Sequence, residues 1–199
     1  MVSVRRAGRP FIGNADVELI PSPFKGVLES VIDNVKTELH IVSPYITKAG
    51  TDLITNRAKA STYRFSLAVK LLTDLNPLSV CQGSCDPEAL LDLVRLFPLT
   101  RILHLPRVHA KIIVADRSVS IIGSANLTGG GLQDNYEYNI KVSSIEIASK
   151  IAEDVEEYSS LAALITPTLL ESYSEAASSL RETSSGLTGL DRKRAVVRC

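Results

Sequence analysis

The sequence predicts an α/β fold with a mixed, mostly parallel β-sheet sandwiched between helices. Two observations carry this. Short runs rich in β-branched residues alternate with stretches of helical periodicity, and Pro, Gly and Asn punctuate the joins. The 199 residues are also enough for one domain that buries roughly 70% of its unfolded surface without disulfide staples.

Taken in order, Ala15 to Ile20 reads as a short strand after the Gly13-Asn14 turn signal. Ser22-Pro23 reads as a helix cap followed by a first-turn proline, and Phe24, Val27, Leu28, Val31, Ile32 and Val35 recur at helical spacing to about Lys36. Glu38 to Val42 is a strand that runs into Ser43-Pro44-Tyr45. Ligands in α/β sheets gather at strand ends, so Ser43 and Tyr45 are candidate pocket residues.

A helix follows over Lys48 to Ala60, and Tyr63 to Leu72 has the apolar content of a buried strand. Residues 76–85 read as a loop, after which Asp86-Pro87 caps a helix that uses Leu90, Leu91, Leu93, Val94 and Phe97. Arg101 to Leu105 is a strand that Pro106 breaks. Two more strands, His109 to Ala115 and Ser118 to Ile122, join through a turn at Asp116 and Arg117, and Tyr136 to Val142 is a further strand. Helices over Ile145 to Leu164 and from Thr166-Pro167 to about Arg181 complete the domain, read as residues 1–182. Residues 183–199 are Ser/Gly-rich and then basic, the composition of a disordered tail.

Acidic and basic residues balance at 22 each, so net charge advertises neither nucleic acid nor an anionic membrane. Arginines and lysines do crowd both termini. Three cysteines make no disulfide framework, and Cys81-x3-Cys85 lacks a second ligand pair, so no zinc or other metal and no cofactor is expected. No run of 18 apolar residues and no apolar leader occur, so a soluble, cytoplasmic protein without stable membrane association is expected.

Chemistry concentrates in one stretch, His109 to Asn126. Strand alternation sends the side chains of His109 and Lys111 the same way. With Ser124, Asn126 and nearby backbone amides, they form a donor set suited to phosphate oxygens, and the imidazole adds a nucleophile or proton carrier near neutral pH. His40 and His104 read as structural or surface histidines.

The spacing H-x-K-x4-D-x6-G-S-x-N, filled by His109, Lys111, Asp116, Gly123, Ser124 and Asn126, resembles the HKD signature of the phospholipase D superfamily. Leu127 to Leu132 and then Asn135-Tyr136-Glu137 are similar to the segment that carries that superfamily's downstream glutamate. The resemblance implies a metal-independent phosphodiesterase. In it His109 attacks phosphorus, Lys111, Ser124 and Asn126 hold the non-bridging oxygens, Glu137 orients the imidazole, and Asp116 orients the turn or Lys111. It also implies a nucleic acid substrate, DNA before RNA, with phospholipid hydrolysis or transfer and a catalytically silent phosphate-binding module as the other readings. In-line displacement needs two histidines on opposite sides of phosphorus, and the chain carries one motif. A homodimer sharing the site is therefore implied, with Leu127 to Leu132 expected at its interface.

Overall fold

The computed structural model describes residues 16–59 and 65–179, and it forms one eight-stranded sheet between helices. In chain order the elements are β1 (Asp16–Pro21), α1 (Lys25–Asn34), β2 (Glu38–Val42), α2 (Lys48–Lys59), β3 (Ala68–Thr73), α3 (Pro77–Cys81) and α4 (Pro87–Leu96). There follow β4 (Arg101–His104), β5 (Ile112–Ala115), β6 (Val119–Gly123), a π-helical turn (Gly130–Asp134), β7 (Tyr138–Ser143), α5 (Ile145–Ser160) and β8 (Ala163–Ile165). A last helix covers residues 167–179. The basic tail expected at 183–199, the start of the strand expected at 63 and both charged termini lie outside the described residues.

The strand order is β1-β7-β6-β5-β2-β3-β4-β8. The sheet is mixed, as expected, but parallel pairing is confined to β2, β3 and β4. Every other neighbouring pair is antiparallel, because hairpin-length connections join β5 to β6 and a short helical turn joins β6 to β7. Three elements differ from expectation. Residues 77–81 form a short helix capped by Asn76, whose Oδ1 accepts the Ser79 amide at 2.9 Å. The expected single helix to Leu164 stops at Ser160, and β8 follows to pair with β4. Ser22 does not cap α1, whose first turn has no side-chain cap.

Side-chain alternation sorts the core into two layers. On β2, Leu39 and Ile41 join the large core that also holds Phe24, Leu28, Ile54, Leu90 and Phe97. Val42 faces the other way, toward α5, with Leu72, Leu103 and Val155. The period of two continues on β5, where Ile113 and Ala115 enter the large core while Val114 packs on Ala148 and Ala152 of α5.

Strand direction decides what meets at each end of the sheet. β5 is antiparallel to β2, so its entry at Lys111 lies beside the exit of β2 at Ser43, with Val42 opposite Ile112. β6 returns to the same edge, and Gly123 sits opposite Asn139 near the start of β7. Asp116 is at the far end, five residue rises and roughly 16 Å of strand from Lys111. There its carboxylate accepts the amides of Lys36, Thr37 and Glu38 at 2.9, 2.8 and 3.0 Å and the Thr37 hydroxyl at 2.7 Å. Asp116 thus ties the β5–β6 turn to the α1–β2 connection, and of the two roles the resemblance implied its contacts are those of the turn, not of Lys111. Asp116 and Arg117 both take φ of 49°, a left-handed pair that an aspartate's short side chain tolerates.

Burial alone would raise the Asp116 pKa, but the Thr37, Glu38 and Lys36 hydrogen bonds outweigh it and hold the carboxyl below its ordinary value. A depressed folded pKa contributes stability that is complete above the unfolded value of about 3.9 and is lost as pH falls through the folded one. Asp116→Asn should therefore lower unfolding free energy by roughly 2 kcal/mol at pH 7. Urea titrations should show the gap to wild type closing below about pH 4.

Candidate active site

The site edge gathers His109, Lys111, Ser124, Asn126 and Glu137. His109 to Lys111 form an extended entry to β5 and not part of its ladder proper, although the Gly123 amide still reaches the Lys111 carbonyl at 3.3 Å. His109 is exposed and Lys111 half-buried. The Lys111 Nζ lies 3.2 Å from His109 Nδ1 and 3.3 Å from Nε2, and it donates to the His109 carbonyl at 2.9 Å. Lysine and imidazole therefore form one unit, as alternation requires.

Burial pushes the Lys111 pKa down, and the negative charge of Glu137 partly opposes this. The Glu137 carboxylate is itself held: Asn135 Nδ2 donates to Oε1 at 3.1 Å and the Ser124 hydroxyl donates to Oε2. Its backbone is bracketed by Ser22, whose Oγ accepts the Glu137 amide at 2.6 Å and whose amide donates to the Glu137 carbonyl at 3.1 Å. Glu137 meets Ser124 and Asn135, where contact with the His109 ring was expected. The Ser124 hydroxyl, expected on phosphate, is engaged between that carboxylate and the Tyr138 amide, which donates to it at 3.0 Å.

Asn126 follows on an irregular segment. Its side-chain Oδ1 is buried without a hydrogen-bond partner among the described residues. The π-helical turn packs directly beneath, so that a Cβ at Gly131 would run into the Asn126 carbonyl. Leu127 and Leu132 are 3% and 2% exposed and belong to the large core. Apolar side chains already spent on the chain's own core cannot face a second copy, so this segment is not the expected interface.

Of the two pocket residues, Ser43 is brought beneath the site and Tyr45 is not shown in contact with it. Ser43 is 2% exposed, donates to the Tyr45 carbonyl at 2.7 Å and accepts the Leu127 amide at 3.0 Å. It shares a cavity of about 10 Å³, room for one water at most, with Lys111, Gly123, Ala125 and Asn139. Tyr45 is 38% exposed.

Both remaining histidines lie away from the His109–Lys111 pair, His40 in the middle of β2 and His104 at the same sheet end but two strands from β2. His40 is buried on the α5 side of β2, 3.3 Å from Glu38, where burial lowers its pKa. His104 lies on β4, and its Nδ1 accepts the Leu75 amide at 3.0 Å. Among the described residues no group of three or more His, Cys, Asp or Glu side chains could hold a metal ion, and no helix is long and apolar enough to cross a membrane. Sequence reasoning missed Ser22, Asn135 and Asn139; the Asn135-x-Glu137-x-Asn139 alternation was the available signal.

A histidine–lysine unit at the edge of a mixed sheet, with an asparagine and a buttressed glutamate beside it, defines a phospholipase D-like protein. The family model for the cardiolipin synthase, PLD-like domain matches residues 28–159, and the chain belongs to that family. This makes it a phosphodiesterase-type enzyme of the phospholipase D superfamily. No curated protein matches in sequence. Solved structures similar in fold include NucT from Helicobacter pylori, with a TM-score of 0.60 at 15% identity over 76% of this chain and 99% of that one. The phospholipase D family member Nuc from Salmonella typhimurium gives 0.59 at 16% identity over 76% and 98%. Phosphatidylserine synthase from Haemophilus influenzae gives 0.66 at 11% identity over 88% of this chain and 46% of that one.

Removing the Glu137 charge should let burial act on Lys111 unopposed. In Glu137→Gln, the Lys111 side chain followed by heteronuclear NMR should titrate at a lower pH than in wild type. An unchanged midpoint would mean that the carboxylate does not support the ammonium.

Proposed function

We propose that this protein is a metal-independent phosphodiesterase that hydrolyses nucleic acid, DNA in the first instance, through a phosphohistidine formed in a site shared by two copies. The observation that carries the reading is the contact between His109 and the Lys111 ammonium, which sets a nucleophile beside the charge that a phosphate's non-bridging oxygens need. His109 attacks phosphorus as the bond to the leaving oxygen breaks, and the partner's His109 gives that oxygen a proton. The same imidazole then takes a proton from water, which cleaves the phosphorus–nitrogen bond and frees His109. Lys111 and Asn126 stabilise charge on the non-bridging oxygens, each such donor being worth on the order of 3 kcal/mol.

The placement of the other histidines supports the dimer. His40 is buried in the middle of β2, and His104, at the same sheet end but two strands beyond β2, has its Nδ1 taken by the Leu75 amide, so in this reading neither is the second imidazole. An apolar strip on the part of the sheet face that α5 leaves uncovered favours contact with a second copy. Val17 and Leu19 of β1, Ile122 of β6 and Tyr138 and Ile140 of β7 are all exposed there, in register on one face. This strip begins next to Gly123 and Glu137, and it replaces Leu127 to Leu132 as the expected contact.

DNA as substrate is favoured by the single motif and the small domain, and the similarly folded archaeal chromatin protein TrmBL2 is described as binding DNA by a novel mode. The phosphatidylserine synthase likeness and the exposed apolar strip favour a phospholipid instead. Plasmid nicking run beside a liposome hydrolysis assay, both in excess EDTA, separates them. Nicking is expected, with His109→Ala at least about a thousandfold slower and still folded. Headgroup release from liposomes without nicking would overturn the substrate, and magnesium-dependent nicking would overturn the mechanism. Leu19→Asp combined with Ile140→Asp should give a folded monomer by light scattering and lose turnover. A fully active monomer would refute the shared site.

A further inference from the structure

Asn126 has no strand ladder to hold it, yet both amides that flank it are gripped by buried polar side chains from other strands. The Ala125 amide donates to Asn139 Oδ1 at 3.4 Å and the Leu127 amide donates to Ser43 Oγ at 3.0 Å. Ser43 and Asn139 are each 2% exposed. They approach from opposite sides, Ser43 from the exit of β2 and Asn139 from β7, two strands beyond β5.

Each gripping group is itself fixed. The Ser43 hydroxyl donates its proton to the Tyr45 carbonyl, so a lone pair is left for Leu127. The Asn139 carboxamide lies over Gly123, where any Cβ would collide with its oxygen and with the Tyr138 carbonyl. The glycine of the motif therefore makes room for the Asn139 side chain. Alternation does the rest: Ala125 and Leu127 are buried at 7% and 3% exposure, while Ser124 is exposed and Asn126 half-buried.

We infer that Ser43 and Asn139 are positioning residues that clamp the backbone on either side of Asn126 and so fix its carboxamide for the reaction. This rests on the phosphodiesterase reading, in which Asn126 bears on the substrate and the clamp bears only on Asn126. An orphaned Asn139 Nδ2 fits this role, because the side chain is kept in a fully buried position where only its oxygen is used.

A double-mutant cycle on bis(p-nitrophenyl) phosphate, a substrate common to nuclease and lipase chemistry, tests the clamp. Ser43→Ala and Asn139→Leu should each lower kcat about tenfold or more with KM changed less than about threefold. In an Asn126→Ala background the same substitutions should cost less than about twofold, since a clamp with nothing to hold has no effect. Equal losses in both backgrounds, or unchanged kcat in folded variants, would overturn the proposal.

Amide hydrogen exchange gives a readout that needs no turnover. Ser43→Ala, the milder change, should speed exchange at Leu127 at least about tenfold while β5 and β6 amides keep their protection. Unaltered Leu127 exchange would overturn the clamp even if Asn139→Leu fails to fold. Wild type inactive on every phosphodiester would instead sink the functional reading and leave the clamp to be judged on exchange alone.

Discussion

Alternation of strand direction about β2 is the constraint on which the rest depends. β2 is the hinge of the sheet, parallel to β3 on one side and antiparallel to β5 on the other. Each reversal from β2 through β5 and β6 to β7 returns the chain to the same edge. Residues that are 43, 111, 123 and 137 along the sequence thereby become neighbours at one sheet end. Were β5 parallel to β2, Lys111 would open at the opposite edge beside Glu38, and the Ser43 hydroxyl would have no site to support. The turn at Asp116 and Arg117 is what enforces the reversal, and the four hydrogen bonds into the Asp116 carboxylate lock it to the start of β2. An acidic residue far from the chemistry thus acts on it through topology.

The motif was legible because its logic is local. His109 and Lys111 share a direction through the period of two, and Gly123-Ser124-x-Asn126 follows a strand by simple count. The turn, the helices α1, α4 and α5 and the layered sheet were legible for the same reason, as apolar spacing and caps at Asp86 and Ser144 specify them locally. What stayed hidden needed tertiary information. β8 is three residues with two of them exposed, and only the edge of β4 gives it a partner. Ser22 resembles a helix cap in every local respect, yet the Glu137 backbone, 115 residues away, claims its hydroxyl. The parallel bias was misjudged because helices alternating with strands suggest crossovers, whereas β5, β6 and β7 follow one another without an intervening long helix.

Glycine at three points shows how close approach substitutes for extra side chains. Gly50 of α2 meets the Leu127 backbone, Gly123 meets Asn139, and Gly131 meets the Asn126 backbone. All three contacts converge on the segment 123–127, and each would be blocked by a single methyl. The π-helical turn serves the same end, since its wider winding lets Gly131 sit directly under Asn126 while Leu132 fills the core. Residues 124–126 lie between the end of β6 and an isolated bridge of Leu127 to Ile46, so backbone crowding and the two buried hydrogen bonds add to the rigidity that pairing supplies at either end.

That rigidity has an electrostatic counterpart. Lys111 must keep a positive charge in a half-buried position, where desolvation favours its loss. Direct pairing with a carboxylate would restore the charge but also occupy the ammonium. The arrangement found here separates the two demands: Ser124 and Asn135 take up hydrogen bonds of the Glu137 carboxylate, which then supports Lys111 through its field. The ammonium is left against the imidazole and one carbonyl, contacts that a phosphate oxygen can join or replace at little cost. Ser124 thus restrains the Glu137 carboxylate within this chain. A neutral chain can in this way present one concentrated positive group at the sheet edge, so overall charge balance and phosphate chemistry are compatible.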